Sequence, residues 1–256
     1  TTFPLKLKRC LNSRNSELSD AVETKYFMPS TTLSRDSLLC AMGTQGVLPL
    51  FHSRDIDTAM GVVEALASAG IRVIEFTNRS PDALNVFRSL VLKTATDFPD
   101  LVLGAGTVLD VASAEAFCEA GAAFIVAPNI HEGVGEFCRS HNLLWCPGAA
   151  TVTEILYAST LGADLIKIFP ADLLGGPAFV KAVRGPCPRV VLMPSGGVTC
   201  EESNLNAWFS VGVHCVGLGS DLIDPESLRL QRFDHIQARA RQVLQTVARL
   251  RATGLE

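Results

Sequence analysis

The chain has 256 residues, 48% of them hydrophobic and 19% charged, enough to bury a sizeable core in one large α/β domain or two small ones. Its net charge of −4 gives no footprint for nucleic acid or a membrane surface, although a local basic pocket could still receive an anionic small molecule. No apolar run approaches the ~18 residues a membrane helix needs, and the eight cysteines are scattered with no C-x-x-C pair, which points to a reducing compartment and no structural metal.

Residues 1–33 stand apart. Lys6, Lys8, Arg9 and Arg14 precede the first acid, Glu17, among many Ser and Thr, and the chain starts without Met. The segment reads equally as an incomplete organelle transit peptide or as a disordered tail, and it is expected to be an N-terminal extension to a domain over 34–256.

Regular alternation begins near Ser34. Leu38, Leu39 and Met42 suit a short helix, 46–51 a first strand, 57–68 a helix and 71–77 a second strand. Later strands are expected near 101–106, 123–127, 143–146, 164–169, 189–193 and 213–217. Helices are expected near 81–95, 111–119, 131–140, 151–161, 177–184, 201–209 and, as one long element, 226–250. Eight strand–helix units of about 25 residues favour a closed parallel barrel, an α/β TIM (β/α)8 barrel of one domain, over a doubly wound sheet. A repeat supports the count: Gly70, Gly121, Gly162 and Gly212 each end a helix and lead into a strand, 51, 41 and 50 residues apart, about two units each.

The stretch between Asp164 and Pro170 holds four apolar residues and one lysine, the pattern of a strand buried on both faces. Alternation sets Leu165, Lys167 and Phe169 on one side and Ile166 and Ile168 on the other. A lysine set in an apolar strand is suited to form a Schiff base with a carbonyl substrate. The second strand sends Glu75, Thr77 and, if it stays extended, Arg79 to one face, so an acid and a base would share an interior with Lys167. A buried ion-pair network is the alternative reading of these charges.

Two glycine turns, Ser195-Gly196-Gly197 after the seventh strand and Gly217-Leu218-Gly219-Ser220 after the eighth, stand where this fold commonly binds phosphate through backbone N–H groups. Gly104-Ala105-Gly106-Thr107 at the third strand is either a tight turn or a set of donors for a carboxylate. Thr151 reads as a helix N-cap with Glu154 completing a capping box. The five histidines show no metal spacing.

In the order and spacing of Glu75-x-Thr77-x-Arg79, Gly104–Leu109, Pro147–Glu154, Gly162–Ala171, Gly175-Gly176, Pro194–Val198 and Gly217–Ser220, the chain from about Gly46 onward resembles the KDPG/KHG aldolase family. The resemblance implies a class I aldolase, usually a homotrimer, that cleaves the phosphorylated 2-keto-3-deoxy sugar acid KDPG to pyruvate and glyceraldehyde 3-phosphate without metal or organic cofactor. It implies Lys167 as the Schiff-base lysine and Glu75 as general acid and base. Arg79 and Thr107 would hold the pyruvyl carboxylate, and Phe169 would wall its pocket. Gly196, Gly197, Gly219 and Ser220 would hold the phosphate, and Ser195 would lie close to the sugar hydroxyls. Asn78 and Ala127-Pro128-Asn129 depart from the family's common pattern at the pocket rim, which leaves the preferred sugar open between KDPG, its galactonate epimer and 4-hydroxy-2-oxoglutarate. Other Schiff-base phosphosugar barrels, an isomerase and a non-catalytic binding or scaffold barrel remain alternatives. The compartment expected is the cytoplasm or the plastid stroma.

Overall fold

The structure, a computed structural model, describes residues 33–253, so the expected extension lies outside the described residues except for Leu33. Helix α1 (Arg35–Gln45) leads into alternating strands and helices: β1 (Val47–Phe51), α2 (Ile56–Ala69), β2 (Val73–Thr77), α3 (Ala83–Asp97), β3 (Val102–Gly106), α4 (Val111–Glu119), β4 (Phe124–Val126) and α5 (Glu132–Ser140). The fifth stave comes as two pieces, β5 (Leu144–Cys146) and β6 (Gly148–Ala149), before α6 (Val152–Thr160), β7 (Ile166–Ile168), α7 (Pro177–Arg184), β8 (Leu192–Pro194), α8 (Glu202–Phe209) and β9 (Val216–Leu218). Helices α9 (Pro225–Arg229) and α10 (Phe233–Thr253) end the described chain.

All strand pairs are parallel, in the orders β5-β4-β3-β2-β1-β9 and β6-β7-β8. Two features join these arcs into the expected eight-staved barrel. Pro147, which has no N–H to give to a ladder, interrupts one continuous stave between β5 and β6, yet its carbonyl still accepts the Lys167 N–H at 2.8 Å. On the other side Ser195 pairs with Gly217 and ties β8 to β9.

Alternation sorts the apolar residues into two shells. Leu48, Val73, Val102, Phe124, Leu144, Leu165, Met193 and Cys215 point into the barrel from eight staves, and Leu38 and Met42 of α1 close its lower end against them. The opposite faces, with Ile74, Phe76, Ile125, Trp145, Ile166, Leu192 and Val216, pack against the outer helices. At roughly 1.5–3 kcal/mol for each fully buried large side chain, these shells supply the main drive to fold.

The repeated glycines perform the service their spacing implies. Gly70, Gly121, Gly162 and Gly212 all have positive φ, between +80° and +109°. Behind three of them the next N–H reaches back to the last helical turn, as in Ile71 N–H to Leu66 O at 3.0 Å and Ala122 N–H to Phe117 O at 2.9 Å.

The expected long final helix is two helices. Gln231 takes a left-handed φ of +52° between α9 and α10, and the Arg232 N–H returns to Ser227 O at 2.9 Å. The break lets α10 lie along α2 with Ile236, Ala240, Val243 and Val247 buried, and Gly61 leaves room for the Phe233 ring, which stands 2.4 Å from where a Cβ would sit. Among the described residues no helix is long and apolar enough to cross a membrane.

Candidate active site

Above the apolar plug, the next inward positions hold the chemistry. Register aligns Leu50, Glu75 and Gly104 on β1, β2 and β3, and Gly148, Lys167 and Met193 on β6, β7 and β8. Glu75 is 0% and Lys167 5% exposed. Lys167 Nζ lies 3.9 Å from Glu75 Oε1 and 5.4 Å from the centroid of the ring of Phe169, the residue just past β7.

This pairing is too loose to be a structural staple. Neither Glu75 oxygen accepts a hydrogen bond from a protein group. Two unit charges about 4 Å apart attract by about 4 kcal/mol at an effective dielectric near 20, whereas desolvation costs several kcal/mol for each ion. As a bare pair the arrangement would cost stability, and it leaves both carboxylate oxygens without a protein donor.

Small residues on neighbouring staves make room. A Cβ at Gly106 would stand 1.8 Å from Glu75 Oε1, and one at Gly148 would stand 2.2 Å from the Pro128 carbonyl. Gly104 and Gly106 are therefore strand residues that vacate the interior, and neither is part of the tight turn considered from sequence. Alternation could have found them, because both fall at inward positions of β3. Cys146 faces the same interior; burial pushes its thiol well above the ordinary value, so it remains a neutral hydrophobe and no rival nucleophile.

Arg79 is not inside with Lys167. Strand β2 stops at Thr77, whose hydroxyl donates to Phe51 O at 3.1 Å, and the Arg79 N–H folds back to Thr77 O at 3.0 Å. Its side chain is exposed at the rim, and it has no ion-pair partner among the described residues. Beside it His52 is held below its ordinary value by burial and then by the Arg54 and Arg79 charges, so that ring stays neutral near pH 7. Thr107, half-buried just past β3, takes a left-handed φ of +57°, a conformation that costs a threonine energy and recurs at functional sites.

The two glycine turns meet at the ends of β8 and β9. Gly196 and Gly197 have φ of +89° and +75°, and Gly197 admits the Asp172 side chain 2.2 Å from where its own Cβ would be. The Ala171 N–H donates to Ser195 O at 2.9 Å, which seats the turn on the chain following β7. Ser195 is buried, while Gly219 is half-buried and Ser220 is exposed at the same end. A clamp that the sequence did not signal joins the turns: Asp221 Oδ2 accepts the Cys200 N–H at 2.7 Å and is held by Arg239 of α10 at 3.4 Å. The Thr151–Glu154 capping box forms as expected. No group of three His, Cys, Asp or Glu residues able to hold a metal occurs among the described residues.

The residues thus gather at the strand ends: a rim cation and a strained threonine after β2 and β3, the buried Lys167 and Glu75 inside, and glycine turns after β8 and β9. Comparison with known proteins identifies the family. The family model described as "KDPG and KHG aldolase" matches residues 40–239. The 2-dehydro-3-deoxy-phosphogluconate aldolase of Treponema pallidum is 33% identical over 201 residues, covering 78% of this chain and 93% of that protein. The KHG/KDPG aldolase of Escherichia coli is 29% identical, covering 85% and 98%. The KDPG aldolase of Legionella pneumophila, solved with pyruvate captured as a covalent carbinolamine, superposes with a TM-score of 0.73 at 28% identity, covering 80% and 97%. By its barrel and by the match over 40–239, the chain belongs to the KDPG and KHG aldolase family.

Proposed function

We propose that this protein is a class I aldolase that cleaves 2-keto-3-deoxy-6-phosphogluconate to pyruvate and glyceraldehyde 3-phosphate through a Schiff base on Lys167. The observation that carries the reading is the buried Lys167 Nζ 3.9 Å from a Glu75 carboxylate with no protein hydrogen bond.

The Lys167 amine adds to the C2 ketone, and the C2 oxygen takes a proton to give a carbinolamine. Glu75 delivers the proton that turns the C2 hydroxyl into departing water, leaving a protonated imine. A base takes the C4 hydroxyl proton, the C3–C4 electron pair flows into the imine, and glyceraldehyde 3-phosphate leaves as the aldehyde. The remaining enamine takes a proton at C3, and water hydrolyses the imine to release pyruvate and restore the amine. Glu75, buried beside Lys167, shuttles protons in these steps.

Arg79 and Thr107 bind the carboxylate at one end, Phe169 walls the pyruvyl group, and Ser195 sits beside the sugar hydroxyls. Gly196, Gly197, Gly219 and Ser220 hold the phosphate at the other end, with N–H groups freed by the positive φ of the Gly196-Gly197 turn. We further read residues 1–33 as an extension outside the catalytic domain of 34–256, the assembly as a homotrimer and the compartment as cytoplasm or plastid stroma. Seven free cysteines among the described residues support a reducing compartment.

Steady-state cleavage of KDPG, its galactonate epimer and 4-hydroxy-2-oxoglutarate tests the substrate. The proposal expects the highest kcat/KM for KDPG and no turnover of any of them by Lys167→Met; preference for another substrate would replace KDPG, and turnover by the variant would end the lysine assignment.

A further inference from the structure

We propose that the opposite, N-terminal end of the barrel carries a second anion site, built from Arg184, Arg189 and Arg251, for a phosphate-bearing small molecule. The three arginines line a cleft of about 510 Å³ together with Thr44, Gly212 and His214, where α1, the end of α7 and the last turns of α10 converge. The volume suits a small metabolite.

No Asp or Glu lines this cleft, and none of the three arginines has a carboxylate within 4.0 Å among the described residues. In a chain of net charge −4 that is a local reversal of sign. Two of the guanidinium groups are already fixed. Arg251 donates to Gly43 O and to His214 O, and lies 5.0 Å from the centroid of the Phe209 ring. Arg184 donates to Pro188 O at 3.2 Å, to Val190 O at 2.8 Å and to Gly212 O, while its Nε is buried without a partner. Backbone carbonyls neutralise neither charge; they hold the planar forks still, so an arriving anion orders little further side chain. Burial also disfavours the Arg251 charge, and no carboxylate offsets it.

Carbonyl tethers alone could explain Arg184 and Arg251 as staples of the barrel floor. They do not explain Arg189, which is exposed in the same cleft with no hydrogen bond or ion pair to hold it there among the described residues. Two tethered guanidinium groups that keep their charge, the exposed Arg189 to close over an anion and the Thr44 hydroxyl form a set complementary to a phosphate ester or diphosphate.

The test titrates inorganic pyrophosphate, and separately inorganic phosphate, into the full chain by calorimetry, with sodium sulfate as a control for general anion binding. Wild type is expected to bind two equivalents of pyrophosphate, one at each end of the barrel. Arg189→Glu, at an exposed position without contacts to lose, is expected to keep one equivalent, to weaken the other by about tenfold or more, and to leave cleavage kcat/KM unchanged. Arg189→Lys is expected to lose less. Equal stoichiometry and affinity in Arg189→Glu, sulfate binding as tightly as pyrophosphate, or loss of all binding in Ser220→Ala would each overturn the proposal.

Discussion

Replacing Gly106 by alanine tests whether the position of Glu75, and not merely its presence, sets the rate. The added Cβ would lie 1.8 Å from Oε1, 2.5 Å from Cδ and 2.7 Å from Cγ of Glu75, where ordinary contact begins at 3.4 Å. Because Cγ is also too close, rotating the carboxylate cannot relieve the clash. The outer arm must withdraw by about 1.6 Å at Oε1, inside a site where Glu75 has no exposed surface. The φ of Gly106 is not in the left-handed region, so backbone strain does not confuse the result. A misplacement of about 1 Å can cost on the order of 100-fold in rate, and overpacking typically costs about 1–3 kcal/mol in stability. Pyruvate release, followed with a coupled lactate dehydrogenase, is expected to fall by roughly that factor in kcat with far-UV circular dichroism unchanged. Combining Gly106→Ala with Glu75→Gln is expected to add little to Glu75→Gln alone. Cleavage by Gly106→Ala within about threefold of wild type would refute the idea that Glu75 acts from its observed position.

The buried pair is expected to be a stability liability: Lys167→Met alone strands a charge and should lower stability by about 3–5 kcal/mol, whereas Lys167→Met with Glu75→Leu should recover most of that or exceed wild type. Urea midpoints decide it, and equal stability of all three proteins would contradict the loose-pair account. Asp221→Ala frees the Cys200 N–H and loosens both glycine turns. It should raise KM for KDPG by about tenfold with kcat little changed, and leave 4-hydroxy-2-oxoglutarate, which has no phosphate, unaffected; a matching loss on both substrates would mean general damage. His52, held down by burial, Arg54 and Arg79, should titrate below its ordinary 6.5 by NMR and move upward in Arg79→Gln. The folded ring binds fewer protons than the unfolded one, so its share of stability is complete above pH 6.5 and is lost as pH falls from there to the folded value. An unmoved midpoint in Arg79→Gln would place that charge away from the ring.

Legibility in the sequence followed the range of the interaction. Gly70, Gly121, Gly162 and Gly212 announced themselves because a helix end needs a left-handed residue whatever surrounds it. The shared interior of Lys167 and Glu75 was legible because strand alternation has a period of two and the flanking residues are apolar. Arg79 went astray because the extent of β2 depends on the turn after Thr77, which alternation cannot see. The break at Gln231 was hidden because glutamine carries no signal for positive φ. The service of Gly106 depends on a side chain of another strand, and the Asp221–Arg239 clamp joins a loop to a helix eighteen positions later. The arginine cleft gathers residues 184, 189 and 251 only once the barrel has closed.

The central claim, that Lys167 is the nucleophile, is tested most directly by incubating the protein with pyruvate and borohydride and mapping the product by peptide mass spectrometry. One reduced pyruvyl group on the peptide containing Lys167, absent without pyruvate and absent in Lys167→Met, is the predicted result. An unmodified Lys167, or an adduct on another lysine with activity lost in parallel, would contradict it.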